Sequence, residues 1–129
     1  MNATRSTIEL WIRQIIDNSV LSVNSTVPAY EVAKLMEESK AGAVIVLENH
    51  IPAGIVTNKD LSEKIIAHSY PADTPIRRVM SSPLISISPG TDMKTASELM
   101  ASRKIRKLPV IENDQIVGMI IASNIAEPN

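Results

Sequence analysis

The chain has 129 residues, 44% of them hydrophobic and 21% charged, with a net charge of −1; such a length buries a core without staples, and such a composition belongs to a globular chain, not a disordered one. No apolar run reaches the roughly 18 residues that cross a bilayer, no basic stretch leads into a long apolar core as in a secretory signal, and cysteine is absent. A cytoplasmic protein with no membrane segment, disulfide or thiolate chemistry is expected.

With His50 and His68 as its only histidines, the chain has poor material for a metal site. The near-neutral charge and a set of aromatics limited to Trp11, Tyr30 and Tyr70 make a nucleic-acid surface an unexpected use of it. The charge is nevertheless uneven. From Ile76 onward seven Lys or Arg face five Asp or Glu, and four of the seven fall within Arg103–Lys107, which is a local basic site and not a basic protein.

In chain order, Ser6 with Glu9 forms a capping-box pattern, and Ile8, Trp11, Ile12, Ile15 and Ile16 follow at helical spacing. Val20–Val23 reads as a short strand. Pro28 suits the first turn of a helix whose apolar stripe is Val32, Leu35 and Met36, and which ends near Lys40. Ala43–Leu47 reads as a buried strand turning through Glu48, Asn49 and His50 into a second strand that ends at Thr57, with a helix over Leu61–Ala67. Tyr70–Pro75, with two prolines in six residues, reads as a linker.

The pattern then restarts. Gly54-Ile55-Val56-Thr57-Asn58-Lys59-Asp60-Leu61 has a sister 64 positions on, at Gly118-Met119-Ile120-Ile121-Ala122-Ser123-Asn124-Ile125. In the same register Ile76–Met80 mirrors Ile12–Ile16, Leu84–Ile87 mirrors the first strand, and Leu99-Met100 with Lys104 mirrors Leu35-Met36 with Lys40. An ungapped match of this length points to duplication. The predicted organisation is an N-terminal helix and lead-in over 1–18, a first repeat over 19–70, a linker and lead-in over 71–82, and a second repeat over 83–129 whose last helix is truncated. The fold class is α/β (α+β). Two β-α-β-β-α units are each too small to bury both faces of a sheet, so they are expected to pack sheet to sheet with pseudo-twofold symmetry and helices outside.

Three stretches resemble the tandem CBS domain, or Bateman module, a regulatory sensor of adenine nucleotides: Ile76-Arg77-Arg78-Val79-Met80-Ser81 leading into a strand, Lys107-Leu108-Pro109-Val110-Ile111, and the Gly54–Leu61 stretch. The resemblance covers nearly everything from Ile12 onward. It implies a stand-alone pair, since no catalytic or DNA-binding domain is appended, and a homodimer. It assigns Thr57 and Asp60 to ribose, a role that suits a carboxylate able to accept from both sugar hydroxyls. It sets the cations Arg106 and Lys107 of one repeat against the ribose acid of the other, as phosphate ligands, with adenine against Met80, Ile85 and Ile105.

Each assignment has a purely structural counterpart. Thr57-x-x-Asp60 is itself a capping box with an acid in the first helical turn, the basic residues lie near a helix C-terminus, and apolar strand residues such as Ile85 are ordinarily core. The symmetry-related positions offer Ile121 and Asn124 for ribose, and Gly42 and Ala43 for phosphate, so one nucleotide per chain is expected. The leading expectation is a non-enzymatic, energy-sensing module that binds AMP, ADP or ATP and acts on an effector protein, with no catalytic residue and no catalytic cofactor. The alternatives are a ligand-free dimerisation or scaffold module, an S-adenosylmethionine binder and a nucleic-acid binder through Arg103–Lys107.

Overall fold

A computed structural model describes residues 20–122 of the chain. The expected first helix, with Trp11, and the expected end of the second repeat, with Asn124, lie outside the described residues. The described residues divide into two compact units, Val20–Leu84 and 85–122.

In the first unit β1 (Leu21–Asn24), β2 (Ala43–Glu48) and β3 (Ile51–Thr57) form a sheet in that spatial order. β1 runs parallel to β2, and β2 antiparallel to β3. Helix α1 (Ala29–Ser39) makes the crossover between the parallel strands, as a parallel pair demands. It buries Val32 and Met36, the spacing of one helical face, against Val44, Val46 and Val56. Lys40 ends the helix in the left-handed region (φ 54°) and its amide donates back to Glu37 and Met36, satisfying carbonyls the helix leaves open. The β2–β3 hairpin turns through Asn49 and His50, both at positive φ, the backbone twist that suits a two-residue hairpin loop. A register shift between Val46 and Leu47 places a bulge next to Gly54.

Thr57 caps α2 (Asn58–Leu61), which widens directly into a π-helix over Ser62–Ala67, so the expected helix is present in altered form. A 3-10 turn over Ile76–Arg78 then returns the chain to the core. Ile76 and Val79 are fully buried with the α1 and sheet residues, and Ile76 N–H donates to the Val27 carbonyl at 2.8 Å. Residues 76–80, which by repeat register open the second copy, therefore complete the core of the first.

The second unit carries α3 (Met93–Arg103), β4 (Lys107–Glu112) and β5 (Gln115–Ile121). β4 and β5 pair antiparallel with a shift between Val110 and Ile111, 64 positions from the first hairpin's. Asn113 and Asp114 turn at positive φ, and Lys104 ends α3 at φ 56°. Ala96, Met100, Leu108, Val110 and Ile120 form the core with Ile87. The strand expected at Leu84–Ile87 is reduced to one parallel bridge, Ile87 to Val110. Its bonds run from Ile87 N–H to the Pro109 carbonyl (3.0 Å) and from Ile111 N–H to the Ile87 carbonyl (2.8 Å). One ladder step back, the donor to Ile85 would be the amide of residue 109. That residue is proline, so the ladder stops there. The strand–helix–strand–strand order of both copies is otherwise borne out.

Candidate functional site

Asp60 is the centre of the candidate site, because a carboxylate only 5% exposed must be held by donors to stay in the folded chain. Its Oδ2 accepts from the Thr57 amide at 2.8 Å and from Thr57 Oγ1 at 3.1 Å. Its Oδ1 accepts from Ser81 Oγ at 2.7 Å. The acid thus lies in the first turn of α2, where the orphan amides and the helix dipole favour negative charge. Thr57, half-buried at the last position of β3, is placed by the strand's pairing with Ala43.

Ser81 reaches Asp60 because of Gly54. Ile55 and Ser81 exchange both backbone bonds, at 3.1 and 2.8 Å, so residues 80–81 lie along β3. A Cβ at Gly54 would stand 2.5 Å from Met80 Sδ and 2.8 Å from the Ser81 carbonyl oxygen. Only a glycine admits that approach. Met80 packs half-buried on the first unit's core. Thr57, Asp60 and Met80 are thereby brought into one unit. Ser81 is the member that sequence reasoning missed as a site residue, although it closes the quoted Ile76–Ser81 stretch and Gly54 signalled a close backbone approach.

The remaining predicted residues belong to the second unit. After the left-handed turn at Lys104, Ile105 N–H donates to the Met100 carbonyl at 3.0 Å, and the Arg106 carbonyl accepts from Ala122 N–H at 2.7 Å. Ile105 consequently packs half-buried on the core, while the Arg106 side chain is exposed. Both line a cavity of about 480 Å³ together with Ser97, Met100, Ala101, Lys104 and Ala122. Lys107, half-buried, opens β4 opposite Ile121. Ile85 packs partly buried on the same core, as its structural counterpart reading holds. The equivalent cavity of the first unit, about 390 Å³, is lined by Lys40, Ala41, Gly42 and Asn58 among others. Its position 42 carries no side chain, where Arg106 supplies a guanidinium in the second unit.

His50 and His68 are exposed, in the hairpin turn and at the end of the π-helix. Among the described residues no three His, Cys, Asp or Glu side chains are grouped to hold a metal ion, and no helix is long and apolar enough to cross a membrane.

The model of the family described as "CBS domain" matches residues 12–67 and again 76–127. The CBS domain-containing protein YhcV of Bacillus subtilis is 30% identical over 115 residues, which are 89% of this chain and 82% of that protein. A Methanopyrus kandleri protein is 29% identical over 119 residues, and there the match takes in 90% of this chain but only 61% of the relative's length. Among solved structures, a hexameric CBS-CP12 protein from bloom-forming cyanobacteria superimposes with a TM-score of 0.79 at 28% identity, covering 88% of this chain and 67% of that one.

Proposed function

We propose, since the chain belongs to the CBS-domain family as a tandem pair, that it is a regulatory module which binds one adenosine nucleotide, AMP, ADP or ATP, and answers to the energy state of the cytoplasm. Ribose is read by Thr57 and Asp60, the phosphates by Arg106 and Lys107, and the adenine ring lies against Met80, Ile85 and Ile105. The observation that carries the reading is Asp60: a buried, ionisable acceptor fixed at a strand–helix junction by Thr57 and Ser81. The exposed guanidinium of Arg106 beside its cavity supports a phosphate-bearing ligand over S-adenosylmethionine, because its planar fork matches phosphate oxygens.

Binding changes nothing by itself. It regulates a partner protein only by favouring one arrangement of the chain over another. The chain works as a homodimer in this reading, and the hexameric state of the cyanobacterial relative is an example of self-association in a CBS protein. No catalytic step is proposed.

One observation favours the alternative, a ligand-free scaffold: Thr57 and Asp60 form a complete capping box at the start of α2, as a mere helix cap does. Thermal unfolding with AMP, ADP, ATP and S-adenosylmethionine separates the two. A ligand at 100 times its dissociation constant adds about 2.7 kcal/mol, a rise of several degrees at this size. The exposed Arg106 is the informative substitution, since Arg106→Ala leaves unliganded stability within about 0.5 kcal/mol and is expected to remove most of the nucleotide-induced rise. A midpoint unmoved by all four compounds rejects the sensor and leaves the scaffold.

A further inference from the structure

We infer that Ser81 is a specificity-determining residue of the sugar site, reading the second hydroxyl of a vicinal diol beside Asp60; the inference rests on the adenosine-nucleotide reading and deepens it. An ionised carboxylate offers about four acceptor positions. Among the described residues three are occupied in Asp60: the Thr57 amide and hydroxyl share Oδ2, and Ser81 takes one position of Oδ1. One position is left, and it lies on Oδ1 beside Ser81. A ribose presents two adjacent hydroxyls, so Asp60 alone, as held here, accepts from one of them.

Ser81 supplies the second acceptor. Its single hydroxyl proton is committed to Asp60 Oδ1 at 2.7 Å, which leaves the two lone pairs of Oγ to accept from a ligand. Ser81 is exposed while its partner Asp60 is buried, so of the two residues it is the one that solvent and a ligand reach. Its backbone is fixed as firmly as a strand residue by the two bonds to Ile55, and the close approach at Gly54 fixes the depth. Such an acceptor is held in place before the ligand arrives, so little side-chain ordering is lost on binding. The pair Asp60 Oδ1 and Ser81 Oγ therefore matches a cis-diol, one hydroxyl to each oxygen. A deoxyribose leaves one of the two acceptors unmatched.

The test measures dissociation constants of the full chain for AMP and ATP and for their 2′-deoxy and 3′-deoxy forms, in wild type, Ser81→Ala and Ser81→Thr. Wild type is expected to prefer the ribose forms. Ser81→Ala is expected to weaken the ribose forms about tenfold, the cost of losing one hydrogen bond near a charge, while one of the deoxy forms keeps its affinity. Ser81→Thr, which retains the hydroxyl, restores the preference. If Ser81→Ala weakens ribose and deoxyribose forms by the same factor, or leaves all of them unchanged, Ser81 reads no hydroxyl and the inference falls while the sensor reading stands. If wild type binds none of the compounds, both fall together.

Discussion

Gly54 does more for the site than any residue that would touch a ligand. It stands at the bulge of β3, opposite Val46, and its missing side chain is the space that Met80 and Ser81 occupy. Met80 Sδ could swing aside from an added methyl. The Ser81 carbonyl could not, because it accepts from Ile55 N–H at 3.1 Å, and moving it would take the Ser81 hydroxyl off Asp60. Gly54→Ala is therefore expected to cost about 1–3 kcal/mol, the range of overpacked core sites, in urea unfolding. Its distinguishing mark is faster amide exchange at Ser81 and Ile55 than elsewhere in β3. Normal exchange at those two amides would show that the strand absorbs the methyl and that the approach is not what holds Ser81. The site acid was legible in the sequence because Thr57-x-x-Asp60 is a local pattern. Its third donor was not, since Ser81 lies 21 positions away and is delivered by a backbone pairing that only a glycine permits.

At the scale of elements, the register of the duplication is what the sequence showed most clearly, and the reason is that its signals are local. Lys40 and Lys104 cap their helices left-handed, Asn49-His50 and Asn113-Asp114 turn at positive φ, and both hairpins shift register at the same step. The strand expected at Leu84–Ile87 was not legible in the same way, because a strand exists only through its partner's donors and Pro109 withholds one. Helix α3 replaces the first copy's proline start with Asp92, whose Oδ1 accepts from Thr95 N–H at 2.7 Å. That bond, with the Thr95 side chain and the nearby Lys94 charge, holds the Asp92 carboxyl below its ordinary value of 3.8 against a small opposing effect of burial. A folded-state value below the unfolded one stabilises the protein at pH above the unfolded value, and the stabilisation is lost as pH falls through the folded value. Asp92→Asn keeps a capping acceptor but cannot titrate. Wild type and Asp92→Asn are thus expected to run parallel in denaturant midpoint at neutral pH. As pH falls below 3.8 the wild type should lose ground to the variant. A gap that stays constant down to about pH 2 would mean the ionised form gains nothing from α3.

On the scale of the whole chain, the sequence repeat and the compact unit do not share a boundary. The family match for the second copy begins at residue 76, whereas the first unit runs to Leu84, so residues 76–84 belong to one copy by descent and to the other by packing. The cause is visible in the side chains. Without Ile76 and Val79 the α1 face made by Val32 and Met36 would lose two fully buried partners in its cluster. The 3-10 turn is tied there by amides of Ile76 and Arg77 donating to Val27 and Ser25. Lys64 adds a bond from its Nζ to the Val79 carbonyl at 3.1 Å, which joins the π-helix after Asp60 to the same segment. Truncating a buried isoleucine to alanine costs about 2–5 kcal/mol, a large share of the 5–15 kcal/mol that keeps a typical domain folded. Ile76→Ala is accordingly expected to destabilise the first unit although it lies in the second copy. Hydrogen exchange should quicken across β2 and β3, over Ala43–Glu48 and Ile51–Thr57, by more than across β4 and β5. Quickening confined to Lys107–Glu112 and Gln115–Ile121 would instead make the repeat boundary the physical one. Asp60 would then be insulated from the segment that joins the two copies, and the nucleotide proposed to bind there would have no packed route through residues 76–84.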